Sequence, residues 1–291
     1  MPIEGIVLTT LIPFPLLVLA VKYPWRYVVG LVGIEASALW LLEGWQALFF
    51  FSQYGIVPLV IVGALRRGYS LAQTMLSSVL IPLGVGSVLL LVYGIVTQQQ
   101  FPLLLTNYLE QMLRTLQEHF QATEQAQGVE GEHVVAFAEA FLRLVRAIFP
   151  AILVINHLFA NVLNYALARY YCARSRPPVR LDGEALTCWR ASDYLVWVFL
   201  ASGAALLLPF ALVSTVGLNV FLLTLAIYLL QGVAIAIFWG RGVPLPPGVR
   251  WLLVLVALLV AGPLCVVLCI AAGLFDLWVD FRRLRHRPLV P

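Results

Sequence analysis

The run of residues 251–273, WLLVLVALLVAGPLCVVLCIAAG, carries no charged side chain and does not alternate between apolar and polar positions. It is long enough to cross the hydrocarbon core of a bilayer as a helix, which takes about 20 residues. Backbone polar groups in lipid must be satisfied internally, which leaves only helices or closed barrels. Because barrel strands alternate over about ten residues, this run predicts a membrane-spanning helix.

The composition extends this prediction to the whole chain. Hydrophobic residues make up 62% of the 291 residues and charged residues only 11%, against about 25% charged in an ordinary soluble domain. The excess apolar surface must face lipid, so we expect an all-α, polytopic integral membrane helix bundle in contact with the lipid bilayer. The net charge of +4 comes mainly from arginines near helix ends, which indicates membrane topology and no nucleic-acid partner.

Hydropathy and turn residues predict about eight transmembrane spans. The predicted spans are 5–21, 27–43, 46–65, 70–97, 147–171, 191–213, 217–239 and 251–275. They divide the chain into N-terminal spans (1–97), a polar region (98–146), C-terminal spans (147–275) and a basic tail (276–291). The polar region has apolar residues at helical spacing and a break at 125–132, so it is predicted to be an amphipathic helical hairpin. The hairpin is interpreted either as a structural connector or as a substrate lid.

The distribution of basic residues predicts the orientation. Of the 18 Lys and Arg residues, eleven fall on one side of the eight-span topology and seven on the other. The positive-inside rule assigns the larger group to the cytoplasm. We therefore expect a multi-pass protein of the bacterial cytoplasmic (inner) membrane, with both termini outside.

The chain lacks the common motifs of catalysis and nucleotide binding. Lys22 is its single lysine, so a phosphate-binding loop ending in Gly-Lys-Ser/Thr is absent, as are HExxH, GxSxG and Cys-x-x-Cys. We expect no enzyme activity, no catalytic residue, no metal site and no cofactor. Asp276 and Asp280 end the last span next to Arg282 and Arg283, which favours a local ion pair that anchors the helix end over a metal site or a proton path.

Polar residues inside the spans are the remaining candidates for function. His157, Asn161 and Asn164 are spaced by four and three residues, so they share one helix face. Hydrogen bonds between membrane helices average about 0.6 kcal/mol each, and such bonds are common in helix bundles. Any one of these residues alone is therefore interpreted as a structural contact between helices. The stripe as a group favours a polar cavity. The predicted substrate-binding residues are His157, Asn161, Asn164, Asn219, Gln231 and Glu35; for Glu35, in mid-span, functional and structural interpretations both stay open.

Three segments of the C-terminal half carry a family resemblance: LTCWRASDYLVWVFLASGA (186–204), VGLNVFLLTLAIYLLQGVAIAIFW (216–239) and GLFDLWVDFRRLR (273–285). They contain Trp-Arg-x-x-Asp before a span, Tyr-x-x-Gln-Gly in the next, and Gly-x-x-Asp-x-Trp-x-Asp-x-Arg-Arg at the end. The chain resembles the YybS-like bacterial membrane proteins of unknown function. That family is distantly similar to the substrate-binding components of energy-coupling-factor transporters, which implies a transporter-like architecture.

Two functions follow as expectations. The first is a transporter-like component that binds a small, uncharged or weakly charged solute between helices through the face of His157, Asn161 and Asn164. It has no nucleotide-binding site of its own, so its energy would come from a partner or an ion gradient. The alternative is a membrane scaffold or assembly factor, in which the hairpin at 98–146 or the basic loop at 174–190 recruits a membrane protein partner.

Overall fold

A computed structural model describes residues 10–98, 114, 131–175 and 186–283 of the chain, and the regular structure in these residues is entirely helical. This confirms the all-α class. The helices are α1 (Pro13–Lys22), α2 (Trp25–Glu43), α3 (Trp45–Tyr54), α4 (Val57–Arg66), α5 (Leu71–Thr97), α6 (Gly131–Ser175), α7 (Leu195–Ala205), α8 (Ala211–Gly242) and α9 (Pro247–Val279).

Six segments of the described residues are long and apolar enough to cross a membrane. They are Trp25–Glu43, Ala47–Arg66, Leu71–Thr97, Arg143–Cys172, Ala211–Gly242 and Val260–Val279. The predicted first and sixth spans correspond to the shorter apolar helices α1 and α7, so the count of eight is not confirmed.

The predicted sixth span, 191–213, extends past the C-terminal end of the helix that the structure shows there. Helix α7 ends at Ala205, and α8 begins at Ala211. Pro209 explains the break, because it has no N–H to bond the carbonyl of Ala205 and disfavours helical backbone at the residue before it. The intervening leucines are as apolar as the helix, so hydropathy does not reveal the break.

Helix α6 is a single helix of 45 residues. It begins at Gly131 and passes through Pro150, so the second half of the predicted hairpin continues directly into the predicted fifth span. Of the first half of the hairpin, only Gln98 and Arg114 are among the described residues. Most of the basic loop and the end of the basic tail also lie outside them.

The chain divides into two compact units, residues 1–182 and 183–291. The first unit holds α1 to α6, so the predicted fifth span groups with the first four. Leu16, Val32 and Phe51 form part of its core, and Leu17 of the short helix α1 is completely buried.

The second membrane-spanning segment of the first unit, Ala47–Arg66, is a broken helix. Helix α3 ends at Tyr54 and α4 begins at Val57. Pro58 occupies the first turn of α4, and since it has no N–H the carbonyl of Tyr54 loses its normal helical partner. The segment therefore consists of two consecutive helices, and the backbone at Gly55 and Ile56 between them stays in the helical region.

In the second unit, glycines bring α8 and α9 into close contact. A Cβ added to Gly232 would collide with the backbone of Cys269, and one added to Gly273 would collide with the carbonyl of Tyr228. Small residues allow this close approach of membrane helices. Helix α9 is kinked at Ala261, where φ is −134° and ψ is 34°, two residues before Pro263.

Candidate functional site

His157, Asn161 and Asn164 are all buried in the first unit, with 1%, 1% and 0% of their surfaces exposed. This confirms the shared helix face that their spacing predicts. His157 lies midway along the candidate span Arg143–Cys172. The stripe therefore reaches the middle of the membrane-spanning length of α6.

Asn161 bonds to a carbonyl that a proline has left without its helical partner. Its Nδ2 donates to the carbonyl oxygen of Ser78 at 2.9 Å and to the Ser78 hydroxyl at 3.0 Å. In a continuous helix the carbonyl of Ser78 would accept from the N–H four residues later, but that residue is Pro82. Asn161 thus replaces the missing backbone donor of α5.

Asn164 also uses its amide nitrogen on backbone oxygens. Its Nδ2 donates at 2.7 Å to the carbonyl of Thr10 and at 2.7 Å to the carbonyl of Ala160. Its Oδ1 is buried and has no hydrogen-bond partner among the described residues. Asn164 therefore ties α6 to the chain just before α1 and leaves one oxygen unused.

His157 faces the break between α3 and α4. Its ring packs against the ring of Tyr54, with centroids 5.6 Å apart. The neighbouring Gln53 is buried, and its Nε2 donates to the carbonyl of Pro82 at 3.2 Å and to the hydroxyl of Ser52 at 3.0 Å. Gly86 makes room for this arrangement, since a Cβ there would collide with the Gln53 amide.

These contacts fix the relative direction of α5 and α6. Gln53 and Tyr54 are adjacent, and one bonds to Pro82 while the other packs on His157. The Asn161 contact lies one turn before Pro82 on α5 and one turn after His157 on α6. The two helices therefore run antiparallel, and Thr74 and Asn164 lie one further turn along at a common level.

We call this set of buried side chains on α3, α5 and α6 the polar seam. Its members are Gln53, Thr74, Ser78, His157, Asn161 and Asn164. Four buried atoms of the polar seam have no hydrogen-bond partner in the described structure: Gln53 Oε1, Thr74 Oγ1, His157 Nδ1 and Asn164 Oδ1. A buried polar group left unpaired costs about 1–3 kcal/mol, and such groups are rare in native proteins.

The polar seam adds residues that the sequence analysis missed. Gln53 stands in an otherwise apolar run, FFFSQYGIVPLV (49–60), which was a usable signal for an intramembrane polar group. Ser78 could have been found from Pro82, because a proline inside a membrane helix frees the carbonyl four residues before it. Thr74 carries no signal of its own, since threonine hydroxyls in helices commonly bond to the preceding turn.

The other predicted site residues are not members of the polar seam. Glu35 is half-buried on α2, whose outer surface carries an open groove. The groove is lined by Gly30, Gly33, Ile34, Ser37, Ala38 and Leu41. Asn219 belongs to the second unit and donates to the carbonyl of Thr215 at 2.9 Å within α8.

Gln231 also belongs to the second unit, where it bonds to a buried ion pair. Its Nε2 donates to Asp276 Oδ2 at 2.9 Å, and its Oε1 accepts from the backbone N–H of Ala191 at 3.0 Å. Asp276 and Arg282 form an ion pair at 2.8 Å, with both side chains completely buried. We call Gln231, Asp276 and Arg282 the Arg282 cluster.

The Arg282 cluster ties three parts of the second unit together. Arg282 Nη1 donates to the carbonyls of Thr187 and Trp189 at 3.1 and 2.9 Å, ahead of α7. Asp276 Oδ1 accepts from the N–H of Phe281 at 2.8 Å, just beyond the end of α9. The predicted ion pair at the end of the last span is confirmed for Asp276 and Arg282. The three segments that carry the family resemblance thus meet in one hydrogen-bonded structure.

Within the described ranges, no group of three or more His, Cys, Asp or Glu side chains could hold a metal ion. The four cysteines are free thiols.

Comparison with protein families matches the chain, over residues 1–277, to the model described as "Predicted membrane protein (DUF2232)". Comparison with curated proteins and with solved structures finds no match.

Proposed function

The chain belongs to the DUF2232 family of predicted membrane proteins, and from that premise we propose that it binds a small polar solute inside its first unit. The polar seam is the binding site in this proposal. The protein then acts as a transporter-like component of the bacterial cytoplasmic (inner) membrane. The resemblance to YybS-like proteins, and more distantly to the substrate-binding components of energy-coupling-factor transporters, agrees with this proposal.

The observation that carries the proposal is the set of four unpartnered polar atoms in the polar seam. A purely structural contact between helices needs only polar groups that are paired with each other. Asn161 and Ser78 form such a pair. A structural role does not account for the three oxygens and the ring nitrogen of the polar seam that are buried and unpaired, since each unpaired atom lowers the stability of the fold. A bound solute that pairs with these atoms removes that cost, and this gives the site an affinity.

The position of the polar seam supports binding over a purely structural role. Transporters commonly place their sites near the middle of the bilayer, next to interrupted helices. His157 lies at mid-span, and its ring packs on Tyr54 at the end of the half-helix α3. The chain lacks a nucleotide-binding motif, so energy for transport would come from a partner or an ion gradient.

The test measures binding to the purified full-length protein in mild detergent. We expect native mass spectrometry to show a retained small molecule, and a panel of small metabolites and salts to include one that raises the melting temperature saturably. The Thr74→Val variant keeps the shape of the side chain and removes one unpartnered hydroxyl, so it should weaken that response. The Thr224→Val variant is the matched control, because Thr224 already donates to the carbonyl of Phe221 at 2.7 Å in the second unit.

Two results would overturn the proposal. One is that no retained molecule and no saturable stabilisation are found; the other is a response that Thr74→Val and Thr224→Val change equally. Either result would favour the scaffold alternative. The partner of the scaffold would then be sought among the proteins that co-purify in mild detergent.

A further inference from the structure

We infer that the solute of the polar seam is a small monovalent cation, either an alkali ion or an ammonium ion. This inference rests on the proposed function and specifies its ligand. The amide donors of the polar seam are already used inside the protein, whereas several of its acceptors remain.

The amide donors of Gln53 are used inside the protein. Its Nε2 donates to the hydroxyl of Ser52 and to the carbonyl of Pro82. A carbonyl oxygen can only accept, so the amide nitrogen must face Pro82 and the amide orientation is fixed. The unpartnered atom is therefore the oxygen Oε1, which can only accept.

Asn164 repeats this pattern two levels along the polar seam. Its Nδ2 donates to the carbonyls of Thr10 and Ala160, both of which are obligate acceptors. Its Oδ1 is the unpartnered atom. The donors of Asn161 are likewise engaged by the carbonyl and hydroxyl oxygens of Ser78.

The atoms left for a ligand are thus two obligate acceptors, Gln53 Oε1 and Asn164 Oδ1, and two atoms that can accept or donate, Thr74 Oγ1 and His157 Nδ1. No obligate donor remains among the unpartnered atoms. A neutral alcohol or amide brings acceptors as well as donors, and its acceptors would compete for the few hydrogens present. A cation has no acceptor to satisfy, so it matches this set better.

The broken helix adds a favourable field at the same place. Gln53 and Tyr54 are the last two residues of α3, and the C-terminus of a helix carries a partial negative charge. Because Pro58 has no N–H, the carbonyl of Tyr54 also lacks its helical donor. Half-helix C-termini and unwound carbonyls are the groups that coordinate cations in membrane transporters.

The absence of formal charge from the polar seam indicates the charge of the ion. Its six members include no carboxylate, whereas Mg²⁺ and Ca²⁺ sites in proteins are built largely on carboxylates. Monovalent cations can be held by neutral oxygens alone, as in potassium-selective filters. His157 and Asn164 are seven residues apart on α6, which corresponds to about 10 Å of helix rise. The unpartnered acceptors therefore lie at two levels of the polar seam, one near His157 and one at Asn164.

The experiment follows thermal unfolding of the full-length protein in neutral detergent. The buffer cation is N-methylglucamine at constant chloride, and it is replaced stepwise by sodium, potassium, ammonium or methylammonium. We expect at least one of these ions to raise the melting temperature saturably. A comparison of the alkali ions with the ammonium ions then shows which kind of cation the polar seam binds. Thr74→Val should weaken the apparent affinity about tenfold to a hundredfold, the range for a hydrogen bond to a charged group, while Thr224→Val should not change it.

A neutral arm, with acetamide and glycerol, separates this inference from the proposed function. Saturable stabilisation by a neutral solute that Thr74→Val weakens, with no response to any cation, overturns the cation and keeps the binding site. A cation response that Thr74→Val leaves unchanged overturns the assignment to the polar seam. If no probe stabilises the protein and native mass spectrometry shows no retained molecule, both the inference and the proposed function fail.

Discussion

Pro82 changes the hydrogen bonding around it, because a proline removes one backbone donor from its helix. The carbonyl of Ser78 would be left unpaired in the bundle, and Asn161 supplies the missing hydrogen bond from α6 at 2.9 Å. The role of Asn161 therefore depends on Pro82, and this dependence can be measured.

Asn161→Leu should destabilise the protein by about 1–2 kcal/mol, because it leaves the carbonyl of Ser78 buried without a donor. In a Pro82→Ala background the restored N–H at position 82 can bond to that carbonyl. The same Asn161→Leu change should then cost about 1 kcal/mol less, as a double-mutant cycle of unfolding in mixed micelles would show. Strictly additive effects would mean that Asn161 does not replace the lost backbone donor.

Asp276 and Asp193, two acidic residues of the second unit that form ion pairs, should differ strongly in their effect on stability. Asp276→Asn leaves the charge of Arg282 buried without its partner, which typically costs about 3–5 kcal/mol. Asp193→Asn changes a carboxylate whose side chain is 62% exposed and pairs with Arg190, and such surface pairs contribute about 0–1 kcal/mol. Unfolding of both variants in the same micelles gives the comparison, and equal losses would contradict a structural role for the Arg282 cluster.

At the residue scale, the sequence predicts one side of each contact more readily than the other. Spacing alone places His157, Asn161 and Asn164 on one face, since helical periodicity is a local property. Their partners on α3 and α5 come from distant parts of the chain, and no local pattern identifies Gln53 or Thr74 as the residues opposite. The unpartnered atoms depend on side-chain geometry, which spacing does not contain.

At the scale of helices, glycines determine how closely α8 and α9 approach. Gly232→Ala should push the two helices apart, because the added Cβ meets the backbone of Cys269, which cannot move aside as a side chain could. Overpacking of this kind costs about 1–3 kcal/mol. The change should appear as a lower melting temperature in detergent.

Gly240→Ala on the same helix is the control for this prediction. A Cβ there has no heavy atom within 4 Å, and alanine favours a helix over glycine by up to about 1 kcal/mol. The Gly240→Ala variant should therefore be as stable as the original protein or more so. A similar loss in both variants would show that close helix contact at Gly232 is not the cause.

The helix boundaries show which elements the sequence can predict. Long apolar runs predict the existence of α5 and α8, because crossing a membrane requires length and low polarity. The prediction starts α8 six residues late, at 217 and not at Ala211. Hydropathy does not reveal the C-terminal end of α7, because its last residues and the break after it are equally apolar. Proline positions carry this information, since each one removes a hydrogen bond that hydropathy does not register.

At the scale of the whole molecule, the alternation of spans in the first unit predicts its orientation. The connection before α5 carries Arg66 and Arg67, and the positive-inside rule places it in the cytoplasm. The connection between α2 and α3 should then lie outside. Single cysteines in a variant without Cys172, Cys188, Cys265 and Cys269 can test this prediction in vesicles of known orientation.

Tyr69→Cys and Glu43→Cys are suitable reporters, because both residues are exposed at opposite ends of the broken span. A membrane-impermeant thiol reagent should modify Tyr69→Cys only from the cytoplasmic face and Glu43→Cys only from the outer face. The reverse pattern would invert the orientation. Labelling of both from one face would show that Ala47–Arg66 does not cross the membrane.

The proline in α5 also has a consequence for how this protein changes between generations. Pro82 and Asn161 are far apart in the gene but satisfy one chemical requirement, so Asn161 cannot be exchanged freely while Pro82 stays. Loss of the amide is tolerable only in a lineage that has first lost the proline, and that order of events should be visible in descent. Among related chains we therefore expect chains that keep the amide without the proline, and few that keep the proline without the amide.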